Sequence, residues 1–334
     1  MSENWPKRIA EGWHPVAEVG ALGTKPLATR LMGTPLVVFG AAGTPVVMID
    51  RCPHRSIPLS GGRIVGDTIA CPYHGWRFGA DGACVEVPGS NCVPDAPAKV
   101  LPMVERLGLV WTSLAAVPPA FPALPPEPED PALDHFTWAV PATTIRLLDA
   151  IENMLDASHP HFVHPFFLRH TRARRRVAVD IRVHPDGAEA IYHENAPAGG
   201  FMPRLLEGAR TTAAGRYFAP TISQLEFRTR RGLSVSLVVF FTPEDVDLTR
   251  PYAWFSTQRR IAPNWLKKFV LKEFNRPLLK QDQDVLEKQV QTLRTQGGKV
   301  DFKVGPLDFL GPSIWKIAYG ATVAEERREA EIWL

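Results

Sequence analysis

Cysteine is scarce in this sequence, with four residues among 334. A chain of this length with so few cysteines does not carry the disulfide framework of a small secreted protein. Long apolar runs are also missing, since none approaches the roughly 20 residues that a membrane-spanning helix needs. The first residues, MSENWPKRIAEGW, lack the apolar core of a signal peptide. We therefore expect a soluble protein of the reducing cytoplasm that does not bind membranes.

A strong excess of charge is lacking as well. The net charge is +3 and the isoelectric point is near 8.7, a basic balance too mild to indicate a nucleic-acid-binding protein. Hydrophobic residues make up 45% of the chain, enough for a buried core. The length predicts about two domains.

Proline marks the expected domain boundary. Residues 118–131 contain seven prolines and predict a stiff, extended linker with little that could pack. Before it, residues 13–117 show short apolar runs broken by glycine and proline, which predict a small antiparallel β domain. After it, residues 132–334 alternate between helical and strand patterns. The fold class is therefore α+β, with a β domain followed by a helix-flanked antiparallel sheet.

The second domain contains several predicted elements. Strands are expected at residues 177–183, 223–229 and 233–241, and a helix at residues 146–158. The apolar stripe of residues 265–293 is interrupted by Pro277, which predicts two helices in tandem. The charged C-terminal segment AEERREAEIWL predicts another helix.

Two Cys–His pairs are the first chemical signal. Cys52 and His54 are followed by Cys71 and His74, so each segment offers one thiolate and one imidazole. Structural zinc sites usually group their cysteines and histidines separately, whereas a Rieske [2Fe–2S] cluster needs two cysteines on one iron and two histidines on the other. The alternative is a pair of buried cysteines beside incidental histidines. Cys84 and Cys92 lack such partners and are expected to be ordinary thiols.

The segments CPHRSIPLSGG and CPYHGWRFGADGACVEVPG resemble the Rieske domain of ring-hydroxylating oxygenases, over about residues 13–115. Arg55 and Arg77 flank the cluster ligands and are candidates for contact with an acidic electron donor. The arginine-rich run at residues 169–176 is a weaker candidate for the same contact and is otherwise a solvated loop.

A second histidine-rich segment indicates a mononuclear iron site. His159 and His164 are close enough in sequence to bind one metal, and two imidazoles with one carboxylate form the facial triad of non-haem Fe(II) oxygenases. The segment resembles the family pattern N-x2-D-x2-H-x4-H, with Asn153 and Asp156 at its first two positions. His161 is expected in a supporting or surface position, and His170 outside the site.

The carboxylate ligand must come from elsewhere in the chain. Residues 280–289 (KQDQDVLEKQ) resemble the late helix of the same family, and this alignment predicts Asp282 as the ligand. Asp284 is the runner-up. The alternative interpretation of the stretch is a solvated face of an amphipathic helix.

The resemblance also implies roles for residues around the iron. Asp156 would bridge His159 and His74 of the partner subunit in a head-to-tail homotrimer, because the two centres of one chain are expected to be too far apart for fast electron transfer. Asn153 would lie near the iron as a polar gate, or else make a helix hydrogen bond. An NAD(P)H-dependent reductase, with or without a ferredoxin, would supply the electrons.

The implied function is that of a terminal oxygenase that hydroxylates or O- or N-demethylates its substrate by monooxygenation. The alternatives are a cis-dihydroxylating dioxygenase and a pure Rieske electron-transfer protein. Apolar residues in the predicted sheet region suggest an aromatic or otherwise hydrophobic small molecule as substrate; they are Phe201, Met202, Phe218 and Phe240.

Overall fold

The computed structural model describes residues 5–165, 174–194, 196–197, 209–259, 262–298 and 300–334, which fall into two compact units. The N-terminal unit consists of Ala10–Phe121 together with Thr242–Val246. The C-terminal unit consists of Pro122–Phe241, Asp247–Leu334 and the described residues before Ala10.

The proline-rich segment 118–131 contains the boundary between the units, which lies after Phe121. The Phe121 ring packs edge-on against Trp111 with ring centroids 5.1 Å apart. Glu127, in the short 3-10 helix Glu127–Glu129, is 8% exposed. The expectation that little in this segment could pack is therefore wrong, because each end packs within its own unit.

The N-terminal unit consists of short antiparallel strands, as its interrupted apolar runs predict. They form three sheets among the described residues, in the orders β1–β10–β9, β2–β3–β4 and β5–β6–β7–β8. The strands are β1 (His14–Glu18), β2 (Leu27–Leu31), β3 (Thr34–Ala41), β4 (Thr44–Ile49), β5 (Arg63–Val65), β6 (Thr68–Ala70), β7 (Arg77–Phe78), β8 (Cys84–Glu86), β9 (Met103–Arg106) and β10 (Leu109–Thr112).

The C-terminal unit is built on a nine-stranded antiparallel sheet, counted over the described residues. Its order is β11–β18–β17–β16–β15–β13–β12–β19, with β14 paired to β15. The strands are β11 (Leu133–Ala139), β12 (Arg176–His184), β13 (Gly187–His193), β14 (Ala196–Pro197), β15 (Ala209–Phe218), β16 (Ile222–Thr229), β17 (Gly232–Asp245), β18 (Leu248–Gln258) and β19 (Glu326–Trp333). The predicted α+β class, with antiparallel sheets in both halves, is confirmed.

Except for the first, which spans the boundary between the units, the described α-helices belong to the C-terminal unit. None in the described part of the chain is long and apolar enough to cross a membrane. The helices are α1 (Lys7–Glu11), α2 (Leu147–Leu155), α3 (Pro160–Val163), α4 (Asn264–Thr295) and α5 (Gly311–Ala318). Helix α2 carries a strongly apolar face, which buries Leu148, Ile151 and Leu155.

Two predictions about the last third of the chain are wrong. Helix α4 runs through Pro277 without a break, although a proline inside a helix removes one backbone hydrogen bond and crowds the preceding turn. In its first turns, Trp265 and Phe269 are 71% and 61% exposed. The C-terminal segment is strand β19 rather than a helix, because pairing with β12 overrides local helix propensity.

Candidate metal centres and the adjoining cavity

The two Cys–His segments of the N-terminal unit fold into loops of the same backbone design. Ser56 N–H donates to Cys52 O at 2.9 Å and closes the first loop. Gly75 N–H donates to Cys71 O at 3.1 Å and closes the second. Both closing residues have positive φ, at 61° and 73°, and a Cβ on Gly75 would meet Pro88 Cγ at 2.9 Å. The glycine is therefore required in the second loop.

These loops bring together two thiols and two imidazoles. Cys52 and Cys71 are 1% and 4% exposed within the core of the N-terminal unit, and burial raises the pKa of the Cys52 thiol. The rings of His54 and His74 lie nearer the surface with centroids 4.7 Å apart. Trp76 stacks on His54 at 4.4 Å and 6° between planes. Two thiolates inside and two imidazoles outside fit the donor set of a Rieske cluster.

The remaining cysteines lie apart from this set. Cys84 is half-buried and Cys92 is exposed, and all four cysteines, which the structure describes, are free of disulfides.

The loop after helix α2 positions the first histidine of the second centre. Asp156 Oδ1 accepts hydrogen bonds from the backbone N–H and the hydroxyl of Ser158, both at 2.7 Å. Its Oδ2 accepts from the backbone N–H of His159 at 3.1 Å. Burial alone would raise the pKa of Asp156, but the hydrogen bonds from His159 and Ser158 outweigh it and lower the pKa. Asp156 therefore holds the turn that aims His159.

Three side chains from two parts of the chain converge in the C-terminal unit. One ligand atom each of His159, His164 and Asp282 lies within 4.8 Å of the other two. Asp282 Oδ1 is 3.1 Å from His164 Nε2 and 3.5 Å from His159 Nε2. That oxygen is buried and accepts no hydrogen bond of ordinary geometry from the described residues. A cation would satisfy it, so the donor set fits a facial-triad metal site.

A contact at Nδ1, the ring nitrogen that faces away from Asp282, holds the imidazole of His164 in place. Its Nδ1 lies 2.8 Å from Gln281 Oε1, and the side chain is 2% exposed. Burial alone would lower the pKa of His164, but the adjacent carboxylate of Asp282 and the contact with Gln281 prevail and raise the pKa. Gln281 was not predicted from the sequence, because a glutamine on a polar helix carries no motif signal.

The other predicted residues occupy distinct places. Asp284 pairs with Lys280 on an exposed face of helix α4 and is not among the converging groups. Asn153 and His161 are half-buried and line the adjoining cavity. His170 lies outside the described residues.

A cavity of about 560 Å³ adjoins the three converging side chains, all within the C-terminal unit. Its wall is mainly apolar and includes Trp138, Phe227, Phe255, Phe274 and Leu278. The sequence had suggested other residues. Phe240 faces the side of the sheet opposite the cavity, because side chains alternate along a strand and its neighbours in sequence, Val239 and Phe241, line the cavity. Phe218 lines a separate cavity of about 440 Å³. Phe201 and Met202 lie outside the described residues.

Comparisons with known proteins agree with both halves of this description. Residues 12–97 match the Rieske [2Fe-2S] domain, and residues 146–328 match the vanillate O-demethylase oxygenase C-terminal domain. The oxygenase component of a probable 3-ketosteroid-9-alpha-monooxygenase from Rhodococcus rhodochrous is 34% identical over 48% of this chain and 42% of its own length. Dicamba O-demethylase, oxygenase component, from Stenotrophomonas maltophilia is 33% identical over 61% of each protein.

The fold is similar to that of dicamba monooxygenase bound to dicamba, with a TM-score of 0.79, 22% identity and coverage of 93% of this chain and 97% of that one. The aligned part of this chain spans about half the length of the curated relatives that it matches. The Rieske domain implies a [2Fe–2S] cluster in this chain, and the oxygenase family uses a mononuclear iron at the catalytic site as well. Since the vanillate O-demethylase model alone covers more than half of the 334 residues, this chain belongs to that family of Rieske oxygenase components.

Proposed function

We propose that this chain is the terminal oxygenase of a Rieske non-haem iron system, which monooxygenates an aromatic or otherwise hydrophobic small molecule. The observation that carries the proposal is the convergence of His159, His164 and Asp282 at the wall of an apolar cavity. A protein that only carried electrons would have no use for a second metal site beside a substrate-sized cavity.

The residues of the C-terminal unit have separate tasks in this function. His159 Nε2, His164 Nε2 and Asp282 Oδ1 would hold Fe(II), since two imidazoles and one carboxylate are the donor set of non-haem Fe(II) oxygenases. When bound, the iron supplies dioxygen activation, and the cluster supplies single electrons. The apolar wall, with Trp138 and Phe255, binds the substrate and keeps bulk water away from the reacting bond.

Monooxygenation is favoured over cis-dihydroxylation by the relatives' names. They include a dicamba O-demethylase, a methylxanthine N1-demethylase and a chloroacetanilide N-alkylformylase. In the two demethylase names a methyl group is removed from nitrogen or oxygen, which a single hydroxylation of the methyl carbon achieves. We extend this reaction class to the present chain.

The head-to-tail homotrimer belongs to the same proposal. His74 and Tyr73 are exposed at the tip of a cluster loop. The Asp156 side chain is 36% exposed, so its carboxylate has room to accept a hydrogen bond from His74 of the partner subunit. Electrons would then pass from the cluster of one subunit to the iron of the next.

The electron donor would be an NAD(P)H-dependent reductase, with or without a ferredoxin, in the cytoplasm. Oxygenase components, as several relatives are named, work with a separate donor. Arg55 is exposed beside the cluster ligand His54, whereas Arg77 forms an ion pair with Glu86 at 2.5 Å. Arg55 therefore offers the more available charge for docking an acidic donor.

The test is a screen of NADH and O2 consumption with a surrogate reductase over methoxy- and N-methyl aromatics. We expect at least one compound to stimulate both, with formaldehyde released in proportion. Iron analysis separates the alternative function, since an electron carrier would hold only the two cluster irons per chain and the oxygenase one iron more. Cluster iron alone in the intact protein would contradict the proposal.

A further inference from the structure

Gln281 lies directly before the proposed ligand Asp282 and contacts the far side of the imidazole of His164. Its Oε1 is 2.8 Å from His164 Nδ1. We infer that Gln281 is a positioning residue for the mononuclear iron, which fixes the tautomer and the orientation of His164. This inference rests on the proposed function, because it presupposes a metal at Nε2.

The tautomer is the first part of the argument. A neutral imidazole that gives the lone pair of Nε2 to a metal keeps its proton on Nδ1. His164 is 2% exposed, so this N–H cannot turn to solvent and would be costly without an acceptor. Gln281 Oε1 is the acceptor that the structure provides.

The helix explains how one segment serves both ring nitrogens. Consecutive residues of an α-helix point about 100° apart. On helix α4, Asp282 therefore approaches the Nε2 side of His164 at 3.1 Å, while Gln281 reaches the Nδ1 side. Helix α4 therefore holds the His164 imidazole between Asp282, the proposed carboxylate ligand, and Gln281, the hydrogen-bond acceptor of Nδ1–H.

The two proposed histidine ligands are supported by different chemistry. His159 Nδ1 faces the carboxylate of Asp156 at 3.5 Å, whereas His164 Nδ1 faces a neutral amide. An acceptor behind a ligating histidine orients it and makes it more basic, and losing such a partner typically costs 10–100-fold in metal affinity or activity. The amide supplies orientation for His164 without adding a second negative charge behind the ligands.

The experiment measures Fe(II) release from the protein with its cluster intact. The rate at which a colorimetric chelator captures the mononuclear iron is compared among wild type, Gln281→Leu, Gln281→Ala and Gln281→Glu. We expect the leucine and alanine variants to release iron about 10–100-fold faster. The glutamate variant, which keeps an acceptor oxygen, should stay within about threefold of wild type. The visible Rieske spectrum and the melting temperature establish that each variant is folded.

Gln283→Leu is the matched control. Gln283 lies two residues further along the same helix and donates a hydrogen bond to Thr143 Oγ1 at 2.9 Å rather than to a proposed ligand. Loss of this hydrogen bond should leave the rate of iron release within about twofold of wild type. Iron release at the wild-type rate from both Gln281→Leu and Gln281→Ala would overturn the inference about Gln281 but not the proposed function. A wild-type protein with no iron beyond its cluster would overturn the proposed function as well, so the two failures are distinguishable.

Discussion

Asp156 Oδ2 faces His159 Nδ1 at 3.5 Å while accepting a hydrogen bond from the backbone N–H of the same residue. The carboxylate thus lies on the side of the imidazole opposite Nε2, which points toward Asp282. A carboxylate in that place can orient the ring and can also accept a hydrogen bond from a group outside the C-terminal unit.

Asp156→Asn should leave both metal centres loaded but lower product formation about 100-fold or more. The amide has one acceptor oxygen and cannot serve Ser158, His159 and an outside donor together. Iron analysis and product formation under single-turnover conditions check this. Ser158→Ala, which loses one hydrogen bond to Asp156 but keeps the carboxylate, is the control and should retain most activity.

Mixed trimers test the path of the electron. Each of His74→Ala and His159→Ala should be inactive alone, because one lacks the cluster and the other the iron. If electrons cross between subunits, heterotrimers of the two should recover part of the activity, since some interfaces join an intact cluster to an intact iron. Verified mixed trimers without any activity would remove both the bridging role of Asp156 and the head-to-tail assembly.

Asp282→Ala should lose the mononuclear iron and all measurable turnover, because it removes the only proposed carboxylate ligand. Asp284→Ala, two residues on, should keep both, since its carboxylate pairs with Lys280 on the exposed side of the helix. Removing that exposed pair should change the free energy of unfolding by less than about 1 kcal/mol. Iron content measured beside activity decides, and the reversed result would mean that Asp284 is the ligand.

Cys52→Ser or His74→Ala should abolish the visible spectrum and the reduced-state EPR signal of the Rieske cluster. The mononuclear iron should still bind, because its proposed ligands belong to the C-terminal unit. Cys84→Ser and Cys92→Ser are the matched thiol controls in the N-terminal unit and should keep a normal signal. A normal Rieske spectrum in either ligand variant would falsify the cluster assignment.

Asp149, on helix α2, should make the stability of the protein fall as the pH rises. Burial raises the pKa of Asp149 to about 6, against a smaller opposing effect of Arg146, and both carboxyl oxygens lack hydrogen bonds from the described residues. The folded protein therefore holds this proton more tightly than the unfolded chain, so stability is lost between about pH 4 and pH 6 and stays lower above.

Asp149→Asn removes this ionisation. It should raise the free energy of unfolding by roughly 3 kcal/mol at pH 8 and by about half as much at pH 5. Denaturant unfolding of the metal-loaded protein at the two pH values measures the difference. Equal effects at both would show that the carboxyl is already ionised at pH 5.

Some of the fold could not be predicted because distant residues decide it. The segment of β19 has the composition of a helix, yet it pairs along β12, where Glu331 meets Arg176 in an ion pair. Phe240 and Phe241 are equally apolar, but only the second lines the cavity. Successive residues of a strand face opposite sides, and the sequence does not say which side carries the cavity.

The spacing of cysteines, histidines and carboxylates along the chain is enough to predict the donor chemistry of both candidate centres. Each Cys–His loop is a local structure of a few residues, and the pair His159 and His164 spans a single turn and a short helix, so their spacing, together with the resemblance to the family motifs, predicts the ligands. The resemblance of residues 280–289 to the family's late helix predicts Asp282 as the carboxylate, whereas its convergence with the two histidines and the support of His164 by Gln281 emerge from the tertiary structure. Asp282 and Gln281 are more than a hundred residues away in the chain, and they meet His164 because helix α4 packs within the C-terminal unit. Such contacts depend on the packing of the C-terminal unit, so the sequence around Gln281 does not indicate its contact with His164.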